Sequence, residues 1–280
     1  MTYKTILVHL HDAARAPRLL ETALPLARAM DAHLIALCVV PPYVVIPAME
    51  GSGTTVTVEE HRDAYRTEMA QLKGMFAEAT KLRAGKSEWR ESDAAFATAA
   101  DRIIEHGRAC DLVIASQKNP AWAYSAHLEE PARLAIETGR PVLLVPNAGQ
   151  ISAPPKRVTV AWNGRREAAR AIFDAMPLLA GADEVQVLWV DPERDQPVAG
   201  DLPGAELSAT LARHGVKCLV SQASAFDADV GRELLRQADA FGSGLIVMGA
   251  YGHSRFREFL LGGASRDMLA AMNRLVLMSH

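Results

Sequence analysis

With 280 residues, 49% hydrophobic and 22% charged, and a net charge of −3, the chain has the makeup of an ordinary globular protein, long enough for one large domain or two of usual size. The slightly acidic balance offers no attraction to nucleic acid or to an anionic membrane, so neither is expected as a partner. Three scattered cysteines, Cys38, Cys110 and Cys218, form no CxxC; they suggest neither a zinc site nor a disulfide framework, and a reducing cytoplasm fits them.

The N-terminus leads into a short strand-like run, Ile6-Leu7-Val8-His9-Leu10, without the charged region and long apolar stretch of a secretory leader. A helical pattern follows, with Leu19, Ala23, Leu26, Ala27 and Met30 on one face. The run His33-Leu34-Ile35-Ala36-Leu37-Cys38-Val39-Val40 reads as a buried strand. Segment 41–58 is nearly uncharged, but Pro41, Pro42, Pro47, Gly51 and Gly53 argue against a spanning helix. Beyond it, Tyr65, Met69, Leu72, Phe76 and Ala79 mark the apolar face of a long helix, whose plain reading is core packing and whose other readings are a lid or an oligomer contact. Two more buried-type strands, at Asp111-Leu112-Val113-Ile114-Ala115 and Val142-Leu143-Leu144-Val145, precede a turn-rich linker at 147–156.

The same series of patterns then recurs. Val158-Thr159-Val160-Ala161-Trp162-Asn163-Gly164 matches the first strand and its turn, and Ala169, Ile172, Phe173, Met176 and Leu179 form the next helical face. Val185-Gln186-Val187-Leu188-Trp189-Val190 matches the second strand, Gly244-Leu245-Ile246-Val247-Met248 a later one and Arg274-Leu275-Val276-Leu277-Met278 the last. From 111 to 146 the two halves align without a gap. Continuous apolar strands alternating with helices imply an α/β fold: two tandem, open, mainly parallel five-stranded sheets with helices on both faces. The expected units are 1–146 and 157–280, joined by 147–156.

After the run ending at Met248 comes Gly249-Ala250-Tyr251-Gly252, then Gly262-Gly263-Ala264-Ser265 and a helical pattern from Ser265 to Met272. Glycines that open a helix present free N–H groups and the positive end of the helix dipole to an anion. The spacing is neither GxxxxGK[ST] nor GxGxxG, and glycines also serve ordinary turns. Strand-end positions Asn163, Val190 and Gly249 converge on one cleft outside the carboxyl ends of parallel strands, which favours a ligand.

Together these features resemble a tandem universal stress protein, over essentially the whole chain. That family ends each domain with G-x2-G-x9-G-[ST] before a helix and a last strand; Gly249, Gly252 and Gly262 fall on this spacing, while Gly263 replaces the usual Ser or Thr and Ser265 lies two residues on. The resemblance implies a stress-response protein whose second half binds an adenine nucleotide, ATP with or without magnesium, as a sensor or switch. Its site would comprise Ala161, Trp162, Asn163, Val190, Gly249, Gly252, His253, Arg255, Gly262, Gly263, Ala264 and Ser265, with Asn163 in place of the family's acidic adenosine contact and Arg255 as a charge-assisted donor. It also implies pairing of the last strands, 142–145 with 275–278, and a homodimer.

In the first half the same spacing gives Ser116 and Asn119 for the first two glycines and Glu129-Glu130 for Gly262-Gly263. Two carboxylates repel a polyanion and would satisfy a helix dipole themselves, with Pro131 suited to the first turn after them. This half is therefore expected to bind no nucleotide. Trp122 and Tyr124 would pack over that pocket or close it. His9 and His11 read as strand-end histidines lacking further metal ligands. Asp191, Asp227 and Asp229 could hold magnesium but fit caps and loop carboxylates, and Arg257 and Arg266 fit surface charges. No GxSxG, HExxH or zinc pattern occurs, and no general base stands out, so slow ATPase activity is the most that enzyme chemistry would amount to. The other functional reading is an interaction module with both pockets vestigial, docking an unknown protein through 41–58.

Overall fold

The computed structural model describes residues 2–41, 58–83, 85–94, 97–122, 125–191, 204–225, 229–250 and 268–280. The apolar runs become strands buried along nearly their whole length: β1 (Thr5–His9), β2 (His33–Val40), β4 (Leu112–Ser116), β5 (Val142–Val145), β7 (Glu184–Val190) and β10 (Leu275–Ser279). A strand apolar on both faces needs cover on both, which the intervening helices supply. The remaining strands are β3 (Ser87–Asp93), β6 (Arg157–Ala161), β8 (Cys218–Ala223) and β9 (Leu245–Gly249).

Among the described residues these form one ten-stranded sheet in the order β3-β2-β1-β4-β5-β10-β9-β6-β7-β8. The two expected five-stranded sheets are joined edge to edge, because β5 and β10 pair antiparallel, Val276 opposite Leu144, Leu277 opposite Leu143 and Met278 opposite Val142. Either strand alone would leave an apolar edge with unmet backbone groups. The seam is the one anticipated for the two last strands. All other pairings are parallel. The partly exposed β3 and β8 take the outer edges, where one face of the backbone meets water.

The chain steps outward from β1 to β3, then returns to β4 on the other side of β1; β6, β7, β8 and β9 repeat the move. Each half therefore has a switch in strand order, between β1 and β4 and between β6 and β9. The register also corrects the gap-free alignment. Ser116 lies beside Val145, whereas Gly249 lies beside Ser279, so the second half carries one residue more between its glycine turn and its last strand. Glu129 then corresponds to Gly262 or its neighbour Gly263.

Helix α1 (Ala16–Ala29) buries Leu19, Ala23, Leu26 and Ala27 as its pattern predicts. In the second half the predicted face is split between α6 (Arg166–Asp174) and α7 (Met176–Leu179), with Pro177 in the first turn of α7. Proline cannot supply the N–H that would continue α6. Phe173, one residue past Ile172 on α6, faces outward, half exposed, while Ile172, Met176 and Leu179 are in the core. The long predicted helix is α2 (Val58–Thr80); Tyr65, Leu72 and Phe76 are buried, and Met69 and Ala79 pack beside them. Core packing is thus the role of that stripe. Segment 42–57 lies outside the described residues.

The linker is pinned at its start. Arg18 donates to the carbonyls of Pro146 and Gly149, both at 2.6 Å, and the Asn147 N–H donates to Gln117 Oε1 at 2.8 Å. Gly149 adopts φ 93°, and a Cβ there would sit 2.0 Å from the Asn273 carbonyl oxygen. Gly149→Ala should therefore cost about 2 kcal/mol or more of stability. Gly139→Ala, at φ 64° but with open space around it, should cost about 1 kcal/mol. Urea unfolding midpoints at unchanged slope measure both; equal losses would mean that the close approach at the seam is not what requires glycine at 149.

Candidate functional site

Because β6, β7 and β9 are parallel neighbours, their carboxyl ends share one edge. Val160 lies opposite Val247, Ala161 opposite Leu188 and Val190 opposite Ala223. Continued one turn further, this register sets Asn163 level with Val190 and Trp162 level with Gly249. Of the residues expected to hold a nucleotide, Ala161, Trp162, Asn163, Val190 and Gly249 are described and are brought to this edge. Gly252, His253, Arg255, Gly262, Gly263, Ala264 and Ser265 lie outside the described residues, as do Tyr124, Asp227, Arg257 and Arg266.

Local chemistry refines each described position. Asn163 Oδ1 accepts the Arg165 N–H at 3.1 Å, a turn that feeds α6; the oxygen keeps a second lone pair and the amide its donors. Trp162 is half-buried, its ring edge-on to Trp189 at 6.4 Å and 83°. Its N–H continues the ladder to the Leu188 carbonyl at 2.9 Å. Val190 is buried in the strand end. Gly249 has a packing reason of its own: a Cβ would come within 2.6 Å of the Glu167 carbonyl carbon and 2.7 Å of the Ala168 nitrogen. It is the residue that lets α6 lie against the end of β9.

Asp191 and Asp229 make local bonds near this edge. Asp191 Oδ1 accepts from Ser224 Oγ at 2.9 Å and the Ala225 N–H at 3.0 Å. Asp229 caps α9 (Val230–Phe241) through the Gly231 N–H at 2.6 Å. Among the described residues no cluster of three or more His, Cys, Asp or Glu could hold a metal ion.

The corresponding edge of the first half is filled. Glu129, buried, stands between α4 (Ser125–Leu128) and α5 (Pro131–Glu137). Its Oε2 accepts the Asn119 N–H at 2.7 Å and the Ser125 hydroxyl at 2.5 Å. Its Oε1 accepts from the Arg15 guanidinium and from His11 Nε2, the latter at 3.2 Å. Arg15 also donates to the Gln117 carbonyl at 2.8 Å and to the Asn147 side chain. The expected helix-dipole role of the two carboxylates is refined here: Glu130 stands at the start of α5 without a side-chain cap, and Glu129 turns to side chains and a loop amide, the partly buried Arg15 guanidinium being its charge-assisted partner.

Aromatic rings close the pocket. His9 and His11 stack at 4.9 Å and 15°, and Trp122 covers His11 at 5.1 Å and 54°. From α2, the Tyr65 hydroxyl donates to the His11 carbonyl at 3.3 Å and Glu68 accepts the Ala13 N–H at 2.6 Å. Both histidines are buried, not simply strand-end residues. Burial, then the neighbouring His11, holds the His9 imidazole well below its ordinary range. Burial, then the Arg15 charge, lowers His11 to about 4, against a smaller opposing pull from Asp12. His11 is therefore neutral at pH 7, with Nε2–H the donor to Glu129. Arg15, Ser125 and Gln117 escaped the sequence reading, since none belongs to a recognisable motif: Arg15 meets Glu129 across 114 residues and Gln117 meets Leu269 across 152, while Ser125, only 4 residues from Glu129, carries no signal of its own.

No protein-family model matches the sequence, and neither does any curated protein. Among solved structures, a universal stress protein from Archaeoglobus fulgidus DSM 4304 matches 98% of this chain and 95% of its own at 15% identity, with TM-score 0.72. A functionally unknown protein from Pseudomonas aeruginosa PAO1 matches 99% of this chain and 92% of its own at 14% identity, with TM-score 0.55. A universal stress protein in complex with cAMP matches 46% of this chain and 99% of its own at 17% identity and TM-score 0.34, a likeness too partial to bear on ligands here. The chain has the universal stress protein fold over its full length. Among the described residues no helix is long and apolar enough to cross a membrane.

The lowered His11 pKa sets a pH dependence. A histidine that titrates near 6.5 when unfolded and about 4 when folded gives stability that is complete above pH 6.5 and is lost as pH falls toward 4, because the unfolded chain binds the proton first. The loss attributable to His11 is on the order of 3 kcal/mol. Unfolding curves between pH 7 and 4 should show it, and His11→Gln should flatten the slope; an unchanged slope in that variant would assign the acid sensitivity elsewhere.

Proposed function

We propose that the protein is a stress-response protein whose second half, 157–280, binds an adenine nucleotide, while the first half, 1–146, binds none. The observation that carries this reading is the contrast between the two strand-end edges. In the first half a buried carboxylate, Glu129, occupies the place aligned with the second glycine pair. In the second half that place belongs to Gly262 and Gly263, which add no charge and no side chain. At the second edge Asn163 supplies an amide for the adenosine end, and the segment after Gly249 supplies backbone N–H groups for the phosphates, with Arg255 as a cationic donor. ATP, with magnesium held chiefly by the phosphates, fits this donor set. The reading extends to a homodimer in the cytoplasm that passes the bound state to a protein partner.

The direct test is to denature purified protein and chromatograph the released small molecules, alongside thermal unfolding in millimolar Mg-ATP. A ligand at 100 times its dissociation constant adds about 2.7 kcal/mol, a clear rise in midpoint. Gly262→Glu, which gives the second half the first half's residue, should abolish the rise. No adenine nucleotide and no rise in the parent chain would overturn the reading in favour of an interaction module with two vestigial pockets.

A further inference from the structure

The first-half pocket is closed, yet its polar groups are not those of a collapsed remnant. Four donors from three separate segments converge on one carboxylate: the Arg15 guanidinium and His11 Nε2 from the turn after β1, the Asn119 N–H from the loop after β4, and the Ser125 hydroxyl at the start of α4. Each carboxylate oxygen receives two of them, one pair on Oε1 and the other on Oε2. That is the arrangement of a binding site around a small oxyanion, with the charge matched by a guanidinium and the rest by neutral donors.

We propose that Glu129 is a built-in ligand: the first half is an intact oxyanion cradle, permanently occupied by a carboxylate of its own chain. The cradle takes an anion of the carboxylate class, a planar group that accepts Arg15 Nη1 on one oxygen and a backbone N–H on the other. Occupation has a structural result. It ties the turn after β1 to the loop after β4, and Arg15 carries the tie on to Gln117 and Asn147. Gln117, itself buried, donates through Nε2 to the carbonyls of Leu269 and Ala270, at 2.9 and 3.2 Å, across the seam. The first half is thus fixed in the anion-bound arrangement, and the second half is built against it. The inference stands whether or not the second half binds a nucleotide.

Deleting the side chain while keeping the cradle tests it, using the full chain. Glu129→Ala leaves the four donors around a space the size of a free carboxylate, so sodium formate should raise its thermal midpoint saturably, by about 4 °C or more, relative to sodium chloride at the same ionic strength. The parent chain, already filled, should show no difference between the two salts. Adding Arg15→Gln to Glu129→Ala should remove the formate response. Should Glu129→Ala fail to fold in chloride, recovery of folded protein on refolding in formate is the same readout. No specific response to formate in either assay overturns the proposal. Glu129→Gln supplies a separate measure: it fills the space but lacks the charge, so it should unfold several degrees below the parent and ignore formate. A Gln variant as stable as the parent would make the charge idle and refute a ligand role.

Discussion

The antiparallel pairing of β5 with β10 is the constraint on which the arrangement of both halves depends. Every other pairing is parallel, so reversing direction once, at the seam, sends the carboxyl ends of the two sets of strands to opposite edges of a single sheet. Two pockets built by one repeating topology therefore cannot merge into a common cleft. The first-half pocket instead lies near the segment that leads into the second half's last strand. Gln117, just past β4, can reach Leu269 and Ala270 for this reason, and the linker can bring Gly149 directly against Asn273. The same geometry brings Tyr3 against α6, where its hydroxyl donates to the Asp174 carbonyl at 2.6 Å and Ser279 donates to the Asp174 carboxylate at 2.6 Å.

What the sequence revealed follows from how far each signal reaches. Strands buried on both faces announce themselves as apolar runs, so β1, β2, β4 to β7, β9 and β10 could be read directly. The edge strands could not: Ser87–Asp93 is mostly charged and Cys218–Ala223 mixed, because each borders water. Helical periodicity was right for α1 but ran across the break at Ala175, and it assigned Phe173 to a buried face that α6 makes from Ala168, Ala171 and Ile172 instead. Glycine was ambiguous in a different way. Gly249 looked like an opening for a ligand, and its spacing is also what the approach of Glu167 and Ala168 requires. Contacts such as His11 with Glu129, 118 residues apart, leave no local trace, although the unusual Glu129-Glu130 pair did mark the position where the halves part company.

That position explains why the two halves diverged in kind, not merely in degree. A pocket that has lost its ligand has two stable fates. It can replace polar donors with apolar side chains, or it can keep the donors and supply an acceptor from within, because donors left buried without one cost more than their bonds return. Glu129 is the second solution. Pairing Arg15 with a carboxylate preserves the charge balance of an occupied site and leaves no partly buried charge without a counter-charge. It also removes the dependence on ligand concentration that an exchangeable anion would impose. The first half can then serve as a fixed support, its turn after β1 and its loop after β4 tied together through Glu129.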